Sequence, residues 1–583
     1  MGHHHHGHGH GHGHGHGHQH DHDHEHGHDH EHELQAGPDH AVDLAIPDSE
    51  LSPGQLSRRS MLRRAGLLGA GLAAGSSVLT GAAAADPGRG QPRPPRNGYR
   101  WLAGDHHIHT QYSLDGRYRV IDQVRHGRNY GLDWMVITDH GGTTHARIGV
   151  EKIHPDILAA RKDVPDALVF HGMEWNVPAA EHGTVIVHPG GDGEVAVLKE
   201  FVNNYDGILK NALSGTPANE TLAIAGVNFL ADAVKRKRVE DILFLANHPA
   251  RKGWDSPHEL RNWRDAAPHI AVGMEGAPGH QAAGIPKPHG PGLFRGYYDA
   301  SPGPDSWPGY PLESYRTYGG FDWMTATVGG VWDSLLAEGK PWWITANSDS
   351  HTIYADAAVR GPGGDFDRDG KWPDPVHGGA PDLNEVDFFP GYYSRTHVGA
   401  TDFSYSAVMH GIRAGRVWVD HGALVAGLDV RLRTAGHGLQ HSATLGGTLT
   451  ARRGTPVELV ITVDQARLPN WAHFVPKLAR VDVIQGKVTG PVTDRDASTA
   501  PDTKVVKAFE VGDRQGKVHF VYRIGALDGP IYLRLRGTDG NRQAVGLRGA
   551  AVDPHGPAMD VPHDADPWRD LWFYTNPIWA VPV

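Results

Sequence analysis

Between residues 99 and 420 the chain alternates short apolar runs with stretches of helical periodicity. The runs at Arg100–Ile108, Leu132–Thr138, Ala167–Glu174, His182–His188, Ile242–Asn247, Ile270–Glu275 and Trp342–Asn347 read as strands. Apolar residues recurring every three or four positions predict helices near 119–130, 147–162, 222–238, 257–267, 322–338 and 402–414. Strands and helices in alternation at this spacing point to an α/β domain with a largely parallel sheet or barrel. Two Gly/Pro-rich stretches interrupt it, at about 276–320 and 360–398. Insertions of that length in a compact domain usually serve as lids or binding surfaces. Beyond about residue 425 the texture becomes β-rich, with runs at Val457–Val463, Lys517–Ile524 and Tyr532–Gly537 separated by turn residues. This predicts a β-sandwich over 425–583, with the aromatic segment Leu571–Val583 packing back on one of the domains.

The start of the chain has a different character. In residues 1–34 histidine alternates with Gly, Asp, Glu or Gln, which leaves almost nothing to bury. The leader 1–56 is read as disordered: a metal-buffering tail, an expression tag or a misassigned start. Residues 57–85 follow as Ser57-Arg58-Arg59-Ser60-Met61-Leu62-Arg63, an uncharged Ala/Gly/Leu stretch, and Ala83-Ala84-Ala85. Paired arginines before a weakly apolar segment and an A-x-A site resemble a twin-arginine export signal. The expectation is passage through the twin-arginine export machinery to a periplasmic or extracellular location. So weakly apolar a stretch makes a poor bilayer span, so no stable membrane anchor is expected. Residues 86–98 read as a linker and 99–424 as the α/β domain.

Composition then narrows the chemistry. The 583 residues include 44 histidines and no cysteine, so thiolate metal sites, Cys nucleophiles and disulfides are excluded. Any metal must be held by nitrogen and oxygen. The net charge is −12, and about −6 once residues 1–85 are removed, which argues against dedicated nucleic-acid binding.

The predicted strand ends share one feature. The first strand leads into His106-His107-Ile108-His109; residues two apart share a strand face, so His107 and His109 can grip one cation. Asp115 follows in a Ser-Leu-Asp-Gly turn. Later ends carry Thr138-Asp139-His140, His171-Gly172-Met173-Glu174, Glu181-His182-Gly183, Asn247-His248-Pro249-Ala250-Arg251 and Asn347-Ser348-Asp349-Ser350-His351. In parallel α/β domains, strand C-termini converge on one mouth where sites form.

These motifs, in this order, resemble the PHP (polymerase and histidinol phosphatase) metallohydrolases over roughly 100–420, and are similar to a secreted branch that includes carbamate-cleaving hydrolases. The resemblance implies a distorted seven-stranded β/α barrel, followed here by the β-sandwich domain. It implies up to three metals: His107, His109, Glu174 and Asp349 on the first; Glu174 bridging to a second with His182 and His248; Asp115, His140 and His351 on a third. The Ser-Leu-Asp-Gly turn is one residue longer than the family's usual turn, which touches Asp115. His188 is the alternative to His182. His106 is expected to face away from the metals, and His145 and His171 to support the site or touch substrate.

Such ligands suit Zn²⁺, Mn²⁺ or Fe²⁺. Divalent ions lower the pKa of water from about 15.7 to about 7, which suits hydrolysis of a phosphate mono- or diester. Glu174, Arg251 and His351 are the catalytic candidates, with Arg251 matched to phosphate oxygens or else in a surface ion pair. The substrate is expected to be a small phosphoester. A carbamate or carboxylic ester is the alternative, and metal binding without catalysis the reading of another class. Trp254, Trp263, Tyr297, Tyr298, Trp307 and Tyr315 line a pocket or merely pack. Asp365, Asp367 and Asp369, before Gly370, resemble the opening of a Ca²⁺ loop, although Val376 stands at its twelfth position. An ordinary solvated acidic loop is the alternative. The β domain either binds carbohydrate or caps the barrel.

Overall fold

The computed structural model describes residues 98–438, 442–541 and 555–583. The histidine-rich leader, the export signal and nearly all of the linker lie outside the described residues. Among the described residues, no helix is long and apolar enough to cross a membrane.

The seven predicted strands form, as β1 (Arg100–Ile108), β2 (Trp134–Ile137), β3 (Leu168–Asn176), β4 (His182–Val187), β5 (Ile242–Ala246), β6 (Ala271–Ala277) and β7 (Trp343–Ala346). They are hydrogen-bonded in chain order. The pairs β1–β2, β2–β3, β5–β6 and β6–β7 are parallel, whereas β4 runs antiparallel to both neighbours. Trp134–Ile137 and Ile242–Ala246 are buried throughout, because both faces of the sheet are covered. Strands buried on both faces read as continuous apolar runs rather than as alternation.

Five helices accompany these strands: α1 (Val120–Asn129), α2 (Val150–Asp163), α3 (Asp192–Tyr205), α4 (Pro217–Lys235) and α5 (Pro257–Ala266). The last two have legible starts. The Thr216 side chain accepts a bond from the Asn219 amide ahead of Pro217, and Ser256 and Glu259 form a reciprocal capping box around Pro257. Helix α3 is absent from the sequence-based expectation. The helix expected over 322–338 is two pieces, α6 (Trp323–Ala326) and α7 (Val331–Ala337), separated at Gly329, whose φ is +78°.

The second insertion holds more than a loop. Strand β8 (Asp356–Val359) leads into it, and it contains α8 (Phe366–Asp369), β9 (Val376–Asp382) and most of β10 (Ser394–Ala400), ahead of α9 (Tyr405–Arg413) and β11 (Val417–His421). Strand β10 pairs antiparallel with the first half of β1, and the Thr396 hydroxyl bonds both the amide and the carbonyl of Ala346 on β7. It therefore fills the seam between β1 and β7. Beyond the end of β7, Ser350 meets Ile108 of β1 in an isolated parallel bridge. The seven strands expected of a distorted barrel are present in chain order; β10 lies along β1, and the sheet runs on through β11.

The remaining strands are β12 (Val425–Thr434), β13 (Ser442–Ala443), β14 (Thr448–Ala451), β15 (Pro456–Gln465), β16 (Arg480–Lys487), β17 (Lys504–Glu510), β18 (Lys517–Ala526), β19 (Ile531–Thr538), β20 (Trp572–Thr575) and β21 (Ile578–Pro582). Strands β12, β13, β15 and β18 form a separate four-stranded sheet. Its Val430, Leu459, Ile461 and Phe520 share one core with Val481, Val483, Leu533 and Leu535 of β16 and β19. Two apolar sheet faces packed in this way make a sandwich. The larger of them is continuous with the α/β sheet, because β11 pairs with β20 and β20 with β19. The aromatic C-terminal segment is therefore a structural seam, with Trp579 of β21 packed edge-on against Trp343 of β7.

Candidate metal centre

The register of β1 against β2 shifts between Asp105 and Ile108, a bulge that re-aims the side chains at the strand end. Beyond it, the Nε2 atoms of His107 and His109 stand 3.0 Å apart. Antiparallel pairing of β3 with β4 sets Asn176 opposite His182, which brings the start of β4 beside Glu174 near the end of β3. Glu174 is the hub. Its Oε1 lies 3.2 Å from His107 Nε2, 2.9 Å from His182 Nδ1 and 3.3 Å from His248 Nε2. Its Oε2 lies 2.8 Å from His140 Nδ1 and 3.3 Å from His109 Nε2. Asp349 Oδ1 is 3.1 Å from Nε2 of both His107 and His109. Asp115 Oδ2 is 3.2 Å from His140 Nε2, and His351 Nε2 is 3.4 Å from His140 Nε2. All nine residues named as ligands from the sequence come together, Asp115 being the most exposed of them.

The hydrogen bonds around the cluster fix which ring nitrogens carry protons. The Nδ1–H of His107 donates to Glu275 Oε1 at 2.7 Å. Ser113 Oγ donates to Asp139 Oδ1 at 2.7 Å, so it accepts from the His109 Nδ1–H at 2.9 Å. The Nε2 atoms are then the nitrogens that face each other and the Glu174 and Asp349 carboxylates within hydrogen-bond length, placed to act as ligands once any proton they carry is expelled. Asp349 Oδ1 is buried and has no hydrogen-bond donor. Such a convergence of acceptors fits a divalent cation, and the carboxylate behind His107 is the usual orienting partner of a metal-bound imidazole.

The electrostatics agree. Burial opposes charge on Glu174 and Asp349, yet the surrounding imidazoles hold both carboxyls well below their usual range. Burial likewise opposes charge on His107 and His140, but their carboxylate neighbours outweigh it and raise both well above the usual imidazole value. The metal-free cluster therefore holds protons at pH 7 that an incoming cation must expel. Metal affinity should rise with pH. Titration with Zn²⁺ in buffers of different ionisation enthalpy should show net proton release at pH 7; no release would contradict the arrangement.

Three contributors were missed in the sequence. Glu275 lies on β6 and also accepts from the His248 amide at 2.6 Å. His280 sits in the first insertion, its Nε2 2.9 Å from Asp349 Oδ2 and its Nδ1 2.5 Å from Asp387 Oδ1. Asp387, from the second insertion, accepts from the His351 amide at 2.6 Å. Both insertions thus buttress ligands. The approach is close: a Cβ on Gly279 would lie 2.1 Å from the Ser348 carbonyl oxygen and 2.2 Å from the Asp349 Cβ. A His and an Asp far apart in glycine-rich segments carry no spacing signal. Replacement of His280 by Ala should weaken metal affinity about 10- to 100-fold, read by competition with a chelating dye.

Other expectations fare differently. His106, expected to face away from the metals, has its ring against Thr184 of β4 and Thr345 of β7, two strands that do not adjoin β1. It lies inside the sheet, outside the ligand cluster, because the bulge in β1 breaks simple alternation. His188 bonds the Pro189 carbonyl and Ser406 at the opposite end of β4 from Glu174, so His182 is the residue that reaches the cluster. His171 points to the other side of β3, and His145 is buried in a single π-type turn, His145–Gly149. Arg251 lies 3.3 Å from Glu181 Oε2, and Glu181 also approaches Lys252 and His248. Of the aromatics, Trp263 packs on Phe244, Tyr298 donates to Asp322, and Tyr297 lies beside His280.

The Asp365–Asp369 carboxylates are not gathered around a common point. Asp365 caps α8 by accepting from the Arg368 amide, Asp367 accepts from Thr144, and Asp369 is held by the Arg368 guanidinium. The segment expected to open a calcium loop forms a helical turn whose acids bond within it and to Thr144.

Residues 105–225 match the PHP domain family. No curated protein matches the chain. Among solved structures it is similar to a two-domain protein from Bacteroides vulgatus ATCC 8482 containing a predicted PHP-like metal-dependent phosphoesterase, with 15% identity and a TM-score of 0.32, over 82% of this chain and 99% of that one.

Proposed function

We propose that this protein is a metal-dependent hydrolase of phosphate mono- or diesters, exported through the twin-arginine pathway. The observation that carries the hydrolase reading is the Glu174-centred cluster, in which the Nε2 atoms of His107 and His109 converge with the Glu174 and Asp349 carboxylates within hydrogen-bond distance. His107, His109, Glu174 and Asp349 would hold one ion, Glu174, His182 and His248 a second, and Asp115, His140 and His351 a third. Bound there, Zn²⁺, Mn²⁺ or Fe²⁺ supplies Lewis acidity toward the ester and makes water acidic enough to attack near neutral pH.

The chain's own residues orient and recognise. Glu275 and Ser113 set the His107 and His109 tautomers. The Arg251 guanidinium, with its Nε buried and unpartnered, stands on the Glu181 side of His248. A guanidinium there matches two non-bridging phosphate oxygens, and Glu181 holds it in place. Arg251 is the feature that favours phosphate over a carbamate or carboxylic ester.

Turnover of p-nitrophenyl phosphate, bis-p-nitrophenyl phosphate and p-nitrophenyl acetate tests the reading. A phosphoester should be preferred, and Arg251→Ala should lower its kcat/KM about 10- to 100-fold while changing acetate turnover little. Preference for acetate, with no effect of Arg251→Ala, would move the reading to carboxylic esters.

A further inference from the structure

On the opposite side of β3 from Glu174, three donors meet. They are His154 of α2, His171 of β3 and Glu194 of α3, with a ligating atom from each within 4.8 Å of the others. Strand geometry explains the placement: 171 and 174 are three positions apart, so while Glu174 enters the cluster described above, His171 faces the helices. Its Nδ1 stands 3.9 Å from Glu194 Oε1, and its ring stacks on that of His154 with centroids 5.5 Å apart.

His171 is fully buried, yet neither of its ring nitrogens has a hydrogen-bond partner, and His154 Nδ1 is buried and bare as well. An unpaired buried polar atom is costly, so bare nitrogens on two stacked rings beside a carboxylate call for an occupant. Burial, reinforced by His154, His145 and Arg161, holds His171 well below the usual imidazole range. Arg161, two turns along α2 from His154, pairs with the Glu194 carboxylate, Nη2 to Oε1 at 2.6 Å, and fixes its orientation. Arg161 Nη1 lies 3.4 Å from Glu194 Oε2 as well, and this positive charge beside the carboxylate disfavours a hard cation held by charge alone. Two imidazoles and one carboxylate instead favour a nitrogen-preferring transition ion over Ca²⁺ or Mg²⁺.

We infer that His154, His171 and Glu194 form a separate site for a divalent transition metal of the zinc type, which pins α2 and α3 to β3. The inference stands independently of the hydrolase reading.

Crystals of the full chain soaked in Zn²⁺ and measured on both sides of the zinc absorption edge would locate the ion. An anomalous peak is expected within about 2.0–2.2 Å of one donor atom from each of the three residues. Peaks at the Glu174 cluster without one here, or only a water without anomalous signal, would overturn the inference. Elemental analysis of the full chain gives a second reading: His154→Leu should carry one ion fewer than the unsubstituted protein, and equal content would overturn the site. Neither readout is turnover, so failure here leaves the hydrolase reading to its own tests.

Discussion

Glu174→Gln should abolish phosphoester hydrolysis, lowering kcat by about 10³-fold or more, equivalent to about 4 kcal/mol of transition-state stabilisation. The substitution keeps the shape of the side chain and removes its charge. Five imidazoles then surround a neutral amide that offers a cation no negative charge, in place of a carboxylate whose two oxygens serve all five. Metal content should fall by two ions or more. Asp115→Asn makes the informative contrast. That carboxylate is more than half exposed and approaches His140 and His351 at the edge of the cluster, so its loss should remove one ion at most. Equal metal loss in the two variants would show that Glu174 is no hub.

The second large effect concerns stability. Arg534 of β19 and Asp333 of α7 are fully buried and paired through two bonds, Nε to Oδ1 at 2.9 Å and Nη2 to Oδ2 at 2.7 Å. The pair ties the C-terminal sheet to the α/β region, with Tyr532 also 3.1 Å from Asp333 Oδ1. Arg534→Met would leave a buried carboxylate without its counter-charge, at a cost of about 3–5 kcal/mol in denaturant unfolding. Replacing both partners together, as Asp333→Leu with Arg534→Met, should cost less than the single change, because no uncompensated charge remains. Loss of less than 1 kcal/mol in the single variant would mean that water reaches the pair.

The parts of this protein that could be read from its sequence are those written in local spacing. Seven apolar runs bounded by polar deposits mark β1 to β7, and residues at strand ends converge whatever the exact sheet closure, so the ligand cluster was legible. Helix α3 was not, since its apolar face, with Val197, Leu198, Phe201 and Val202 buried, follows a glycine-flanked start without a side-chain cap. Strand β10 was hidden for another reason. Its Ser-Arg-Thr-His sequence is polar, and its position in the seam between β1 and β7 comes from tertiary pairing and the Thr396 bonds to Ala346 rather than from propensity. His280 and Asp387 were invisible because a buttress delivered by two distant insertions has no spacing at all. The acidic Asp365–Asp369 turn shows how little a short motif fixes: its residues resemble the opening of a calcium loop, and its oxygens bond to neighbours within their own turn and to Thr144.

The most direct test of the central claim is hydrolysis of bis-p-nitrophenyl phosphate by the purified protein, stripped with a chelator and then titrated back with Mn²⁺ or Zn²⁺. The Glu174 cluster predicts no turnover when stripped, recovery as metal is restored, and no recovery in Glu174→Gln at any metal concentration. Turnover that survives stripping, or a fully loaded protein that hydrolyses no phosphoester, would contradict it.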